Sequence, residues 1–420
     1  MKIVACGLAI LLVAMAAAAQ SPPLIQEIAF EGNKVTQPVT MLREIPLTVG
    51  DAADADAIER SRQAIQDLGL FREVSVRQEP IEGGVRLVFK VKEKFYILPL
   101  PRADVSSDGG YAYGVQLRWS NLWGLNHSAT PFFERRQSSE GSGDPEIRGV
   151  QTRARLNYVA PYAFGARYTV AFATSYYKIP YLEPLVYDQV EKSVGFSIGR
   201  KLTDDPGSQG WNVSLGLGRR QQDLSGADAA AVRSEGRAIG LLGSLSYRDL
   251  RFNIYSDEGS TSEFQLETSG RAYGSDYHST IWNLDQAWYL KLGDTPHQTF
   301  HVIGSLGARH GGAPGAQQYY TLGGVQNLRG YEPETAQGDA VYLLRLEFLR
   351  PVLRNSIRAL LSVDAGNAFE RPRDANFSKV LVSAGFGVRF RIQAVVNLDV
   401  DIGVAWPLSG GGMRFFAGRV

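Results

Sequence analysis

Cysteine is almost absent from this chain, since Cys6 is the single cysteine among 420 residues. It lies in an N-terminal segment that we expect to be cleaved, so the mature chain should contain no cysteine. A disulfide framework and thiol chemistry are therefore excluded. The chain also lacks an excess of either charge, with 44 Lys and Arg against 43 Asp and Glu. Nucleic-acid binding normally requires a basic stripe or patch, so we do not expect a nucleic-acid partner.

Long apolar runs are missing everywhere except at the N-terminus. Residues 3–19 form a nearly continuous apolar stretch that follows Lys2 and ends in the small-residue site Ala17-x-Ala19. This pattern is typical of a secretory signal peptide, which we predict at residues 1–19. An N-terminal membrane anchor is the alternative, but the run is short for a span and ends in alanines. After the N-terminal stretch no run of 18 or more apolar residues occurs, so the sequence predicts no transmembrane helix.

Aromatic residues and glycine are abundant instead, with 19 Tyr, 19 Phe, 6 Trp and 45 Gly. From Phe95 onward apolar and polar residues alternate, as in the segments 111–119 and 396–406. Alternation with a period of two predicts strands with one apolar and one polar face. A soluble sandwich would alternate too, but about 325 residues would be expected to split into smaller cores. About 16 strand segments in a secreted chain predict a transmembrane antiparallel β-barrel over residues 95–420.

Residues 22–94 follow a different pattern. The predicted elements, in order, are a strand at 24–30, helices at 38–45 and 54–68, and strands at 74–78 and 85–92. Asp54 is placed to cap the second helix and Gly69 to end it. The order β-α-α-β-β predicts one small α+β domain. With its turn Phe30-x-Gly32-Asn33, this segment resembles a single POTRA domain, a resemblance that implies contact with client chains in the periplasm.

The most informative motif is Leu328-Arg329-Gly330-Tyr331. It lies in a Gly-rich connection over residues 311–339, which is too long for a simple turn and is therefore expected to be functional.

The strands that follow this connection supply partners for Arg329. Their alternation points Glu347 and Asp364 into the barrel lumen. An unpaired charge at low dielectric is very costly, so we expect Arg329 to fold back and pair with Asp364, with Glu347 nearby. Gly366 is expected to let the loop backbone approach closely. An ordinary ion pair on a surface loop is the alternative interpretation.

The whole predicted mature chain resembles the BamA/TamA superfamily of outer-membrane assembly and transport barrels, also called the bacterial surface antigen family. In that family an inward-folded loop carries an Arg-Gly-aromatic motif, matched by residues 329–331. A partner strand carries an Asp-x-Gly motif, matched by residues 364–366, although Ser362 stands where an aromatic or Gly is usual. The resemblance implies the outer membrane of a Gram-negative bacterium, with the POTRA-like domain in the periplasm.

The first and last barrel strands are predicted at 95–105 and 413–419. Proline cannot donate to a strand ladder, so the seam between these strands should hold fewer hydrogen bonds than the others. The lateral seam is assigned to Pro99, Pro101, Gly412, Phe415 and Phe416. The resemblance implies that this seam opens sideways and accepts a client strand by β-augmentation.

The resemblance implies outer-membrane protein assembly or insertion, or polypeptide translocation, without catalysis and without a cofactor. The implied partners are the lipid bilayer, unfolded β-barrel or secreted polypeptide clients, and periplasmic chaperones or accessory proteins. A dedicated secretion or lipid transporter of the same family is the main alternative. A two-partner secretion pore would be expected to carry two POTRA domains and a plug helix. A diffusive porin needs no periplasmic domain, and a hydrolase is disfavoured by scattered histidines.

Overall fold

The structure is a computed structural model of the chain. It describes residues 22–105, 111–138, 149–165, 167–181, 184–205, 209–232, 236–312, 319–324, 327–333, 335–396 and 398–419. The predicted signal peptide at residues 1–19 lies outside these ranges. Among the helices that the structure describes, none is both long and apolar enough to cross a membrane.

The N-terminal domain has the predicted β-α-α-β-β order. Its elements are β1 Ile25–Glu31, α1 Pro38–Leu42, α2 Ala55–Asp67, β2 Phe71–Ile81 and β3 Gly84–Glu93. Strand β3 is central, parallel to β1 and antiparallel to β2. The Asp54 carboxylate caps α2 by accepting the Ala57 N–H at 2.9 Å, and Ile58 and Ile65 of α2 join the buried core. Helix α1 ends before the predicted Ile45, a residue that precedes proline and therefore disfavours helical backbone.

Beyond the N-terminal domain, most of the described residues form one sheet of 16 antiparallel strands. The strands and the one further helix are, in chain order, β4 Ile97–Val105, β5 Tyr111–Leu122, β6 His127–Ser138, β7 Gly149–Ala163, β8 Tyr168–Tyr181, β9 Tyr187–Lys201, β10 Gly210–Ser225, α3 Ala229–Val232, β11 Gly236–Asn253, β12 Ser256–Ser269, β13 Ser279–Lys291, β14 Thr299–Gly311, β15 Tyr320–Leu322, β16 Ala336–Gly338, β17 Ala340–Arg354, β18 Ile357–Phe369, β19 Leu381–Arg391, β20 Asp399–Pro407 and β21 Arg414–Arg419. Strands β15 and β16 pair with each other outside this sheet.

The alternating sequence pattern explains this sheet, because many apolar side chains of the strands are exposed on its outer face. Along β10, Trp211, Leu215 and Leu217 are exposed, and the ring centroids of Trp211 and Tyr247 of β11 lie 5.0 Å apart with the rings tilted by 43°. The predicted first strand begins later than expected, at Ile97. The predicted strand from Val396 likewise begins only at Asp399, because the chain turns between β19 and β20.

The N-terminal domain docks on the turns at one end of the sheet. The Gln37 N–H and the Thr40 hydroxyl both donate to the Gly124 carbonyl, at 2.9 and 2.7 Å, in the turn between β5 and β6. The Asp67 carboxylate accepts the Phe252 N–H at 2.8 Å, near the end of β11. Gly124 is required here, because it has φ +72° and a Cβ would lie 2.1 Å from the Val35 carbonyl oxygen.

The connection from β14 to β17 leaves the opposite end, since antiparallel strands alternate in direction. Its β15–β16 hairpin is fastened by the Tyr320 hydroxyl, which donates to the Asn283 side chain at 2.8 Å. The motif residues lie between β15 and β16, and from there the connection folds into the lumen beside β17, β18 and β20.

Candidate functional site

Arg329 is the central side chain of the candidate site, and only 3% of it is exposed. Its Nε and Nη2 donate to the two Asp364 carboxylate oxygens at 2.8 and 2.6 Å, and its backbone N–H donates to Asp364 at 3.1 Å. Its Nη1 donates to Glu347 at 3.0 Å. A planar guanidinium is suited to this bidentate geometry, which fixes the loop in position as well as neutralising charge. The structure thus brings together the three charged residues that the sequence singled out.

The ion pairs continue into a larger network across β17 to β20. Arg389 forms a bidentate pair with Asp401, at 2.7 Å for both contacts, and reaches Glu347 at 2.8 Å. Arg345 of β17 lies 3.3 Å from Asp364 and also donates to the Asn327 carbonyl of the loop at 2.8 Å. Within the described residues the network therefore holds three guanidinium groups and three carboxylates. This charge balance makes burial of the whole set tolerable, whereas removal of one member would leave a buried charge unpaired.

The other motif residues hold the loop against the barrel wall. Gly330 has φ +86°, and a Cβ there would lie 3.1 Å from the Trp406 backbone of β20. Only glycine allows this approach without strain. The Tyr331 hydroxyl donates to the Val382 carbonyl at 3.0 Å and lies 3.2 Å from the Ser409 hydroxyl, and Leu328 is fully buried. The motif thus combines an ion pair, a close backbone contact and a hydrogen bond.

Gly366 was expected to make room for the loop backbone, and this physical reason for the glycine was wrong. A Cβ at Gly366 would lie 2.6 Å from the Tyr342 carbonyl oxygen and 3.3 Å from Leu343, both on the paired strand β17. Gly366 therefore makes room for the neighbouring strand rather than for the loop. The close approach of the loop backbone depends on Gly330 instead.

The residues assigned to the seam occupy different environments. Among the described residues, the strand order ends with β4 on one side and β21 on the other, and no ladder joins these two strands. Pro99 and Pro101 are exposed on β4, while Gly412 precedes β21 with open space around it. Phe415 points outward and is 68% exposed, whereas Phe416 points inward and is 2% exposed.

Phe416 belongs to the lumen rather than to the outer seam. It packs with Leu349, Leu360 and Ala405, and the Arg329 guanidinium carbon lies 5.6 Å from its ring centroid. A cation over an aromatic ring is attracted to its negative face. The loop therefore contacts the last strand of the barrel through the same arginine that binds β17 and β18.

Sequence reasoning missed three members of the site. Arg389 and Asp401 lie on the polar faces of β19 and β20, so alternation could have found them, but it does not show which lumenal charges meet. His301 is buried on β14, with Nδ1 3.5 Å from Glu347 and Nε2 2.9 Å from the Thr299 hydroxyl. It was interpreted only as one of several scattered polar histidines.

Comparison with known proteins identifies the class of protein. Residues 121–410 match the Omp85 superfamily domain, and residues 23–94 match the POTRA family, described as a surface antigen variable number repeat. The chain therefore belongs to the Omp85 superfamily. This membership supports an outer-membrane protein that acts in outer-membrane protein insertion or polypeptide translocation. Members of this superfamily include transporters and assembly factors.

Solved structures of similar fold include BamA and CdiB proteins. BamA from Haemophilus ducreyi lacking POTRA domains 1–3 has a TM-score of 0.55 at 16% identity, covering 96% of this chain and 85% of that one. CdiB from Acinetobacter baumannii has a TM-score of 0.59 at 13% identity, covering 93% and 71%. CdiB from Escherichia coli has a TM-score of 0.61 at 14% identity, covering 95% and 75%. At these identities the similarity extends to the fold alone.

Proposed function

We propose that this protein inserts or translocates a polypeptide client through an opening between β4 and β21. The POTRA domain would first contact the client in the periplasm, and the client would then pair with an exposed edge of the barrel. The inward-folded loop would hold the barrel in a defined state during this cycle. The observation that carries the proposal is that the loop arginine binds β17 and β18 and also contacts Phe416 of the last strand.

The loop has a second contact with the last strand. Glu332 of the loop lies 2.6 Å from Arg414 at the start of β21. Both side chains are largely exposed, so this pair contributes little stability by itself. Together with the Arg329–Phe416 contact, it ties the position of β21 to the state of the loop. A displaced loop would therefore release the strand that borders the seam.

The edges of β4 and β21 suit a seam that opens. Strand β21 has only six residues, so it offers a short edge on the side that faces β4. Alternate residues of a strand direct their N–H groups to the same edge, and Pro99 and Pro101 remove two donors from one edge of β4. Since β4 pairs continuously with β5, we infer that these missing donors lie at the seam. Among the described residues no ladder joins β4 to β21, so an incoming strand would meet an edge without competing native pairing.

A crosslink across the seam tests this proposal. Ile97 of β4 and Ala417 of β21 are both exposed on the outer face, so cysteines there leave the lumenal network intact. Natural cysteine is limited to Cys6 in the predicted signal peptide, so the two new thiols would be unique. Bifunctional thiol reagents of increasing length should block complementation of a deletion strain once the linker spans the seam. The same variant with a monofunctional reagent is the control, and full activity of the bridged barrel would contradict the proposal.

The client class requires a separate measurement. The outer-membrane proteome and surface lipids of a deletion strain should be quantified by mass spectrometry, with wild-type and Arg329→Ala complements. Loss of particular barrel proteins, not rescued by Arg329→Ala, would support assembly. An unchanged set of barrels with a polypeptide trapped in the periplasm would support a dedicated secretion role, and an altered lipid distribution would support lipid transport. Co-purification would then test for chaperones or accessory proteins.

A further inference from the structure

A second group of buried charges lies where the POTRA domain meets the barrel. It surrounds a cavity of about 160 Å³ that shares the lining residues Arg389 and His301 with the Arg329 network. Lys94 lines this cavity from the segment between β3 and β4, Asp257 from β12, and Arg391 and Asp399 from β19 and β20. The cavity is larger than the space that one water molecule needs. A ligand of several non-hydrogen atoms could enter it.

The cations at this cavity are not fully neutralised by the carboxylates around it. Arg391 forms bidentate pairs with both Asp399, at 2.8 and 2.7 Å, and Asp257, at 3.1 and 2.9 Å. Arg358 is a buried neighbour of Asp399, which its Nη2 approaches only to 3.9 Å. Lys94 donates to the Gly69 carbonyl at 2.7 Å, and no ion pair within 4.0 Å joins it to any described carboxylate. Three cations therefore share two carboxylates, unlike the balanced network around Arg329.

Buried polar atoms without a hydrogen-bond partner lie at this cavity and next to Asp399. Within the described residues, Nε and Nη2 of Arg358 have no hydrogen-bond partner, although the side chain is fully buried. His301, which lines the cavity and is 3% exposed, has no hydrogen-bond partner for Nδ1. Buried polar atoms normally have partners, so such exceptions cluster where a ligand or water belongs. The local excess of positive charge favours an anion over a neutral ligand.

We propose that this cavity binds a carboxylate carried on an apolar stem. Lys94, on the cationic wall of the cavity, would bind the carboxylate. The remaining walls include Phe252, Ile303 and Leu398, which favour a hydrocarbon stem over an inorganic anion. Such a group occurs in a fatty acid and at the C-terminal end of a polypeptide with an apolar last residue. This site is distinct from the seam proposed above, because its lining includes no residue of β4 or β21.

Hexanoate is a suitable probe, with hexanamide as the uncharged control of matched length. Binding to the full-length protein in nanodiscs should be measured by calorimetry or by saturation-transfer NMR. Hexanoate should bind and hexanamide should not. Lys94→Met removes the excess charge and should weaken binding about tenfold, the effect of losing one charge-assisted hydrogen bond. Asp257→Asn increases the positive excess and should strengthen binding, so the two variants should shift affinity in opposite directions.

The results of these measurements distinguish the possible sources of the carboxylate and can overturn the proposed site. Tighter binding of a pentapeptide with a free C-terminal carboxylate than of its C-terminal amide would support a polypeptide end. Binding of hexanoate without binding of the peptide would support a fatty acid. Equal binding of hexanoate and hexanamide, or no response to Lys94→Met and Asp257→Asn, would overturn the proposal. Displacement of hexanoate by chloride at similar concentration would show an inorganic anion only and would overturn it too.

Discussion

The two halves of the barrel lumen are built from different side chains. Strands β17 to β20 carry the buried ion pairs and hold the inward-folded loop. Strands β8 to β13 instead surround most of a cavity of about 600 Å³ lined largely by small and neutral polar residues. Examples are Gly195, Ser214 and Ser244, of which the two serine hydroxyls lie 2.6 Å apart.

This difference shows why only one half requires the loop. Serine and glycine need no partner of opposite charge, so a lumen lined with them can remain open to water. Buried guanidinium and carboxylate groups must be paired with fixed geometry, so a lumen lined with them must be filled. The charged half, formed by β17 to β20, therefore determines where the loop lies. The hollow half, formed by β8 to β13, leaves space next to the loop.

The largest effect is expected for Arg329→Ala. This substitution leaves Asp364 and Glu347 buried with fewer partners, which should cost about 3 to 5 kcal/mol of stability and release the loop from the lumen. The melting temperature of the folded barrel and protease cleavage of the loop would both report the change. Arg414→Ala is the matched control, because it breaks the exposed pair with Glu332 at a cost of about 1 kcal/mol or less. Equal effects of the two substitutions would show that burial of the network is unimportant.

The second effect concerns pH and Lys94, which borders the charged half outside the membrane strands. Burial and the neighbouring Arg391 lower the pKa of Lys94 from 10.5 to about 8, with a smaller contribution of the same sign from Arg72, while Asp257 and Asp399 act in the opposite direction. The unfolded chain therefore binds more protons between pH 8 and pH 10.5. Stability should rise through that window, by about 3 kcal/mol in total, and the full penalty is present below pH 8.

The contribution of Lys94 to the pH dependence of stability can be measured from the melting temperatures of wild type and Lys94→Met between pH 7 and pH 10.5. The substitution should remove the part of the pH dependence that belongs to Lys94, because methionine does not titrate. Other groups contribute equally to both curves and cancel in the difference. Parallel curves for the two proteins would contradict the expectation.

The smallest effects come from a pair of glycine substitutions, one in each half. Gly330→Ala introduces a Cβ at φ +86° and 3.1 Å from the β20 backbone, so it should cost about 1 to 3 kcal/mol and loosen the loop. Gly195→Ala places a Cβ 3.4 Å from Leu242 at the border of the hollow half, so it should change stability by less than about 1 kcal/mol. Thermal unfolding of both variants would compare the two halves directly. A larger loss from Gly195→Ala would show that the hollow half is the more tightly packed one.

Part of the candidate site could be predicted because its physical reason is local. Alternation identifies which face of β17 and β18 points inward, and the cost of an unpaired charge then selects Arg329, Glu347 and Asp364. The same logic does not reveal Arg389 and Asp401, since the pairing of lumenal charges depends on the register and curvature of several strands. The reason for Gly366 was missed because its contact lies on the neighbouring strand, at a distance that no sequence spacing reports.

By itself the sequence determined the class of fold, since the period of apolar residues and the capping residues act over short distances. These local patterns predicted the small α+β domain, the antiparallel strands and the motif arginine. Only the tertiary structure decided that the POTRA domain docks on Gly124 and Phe252, that Phe416 lies beneath Arg329, and that Lys94 shares a cavity with Arg391. These contacts join residues far apart in the chain, and they exist because pairing and curvature of many strands bring distant strands and turns together.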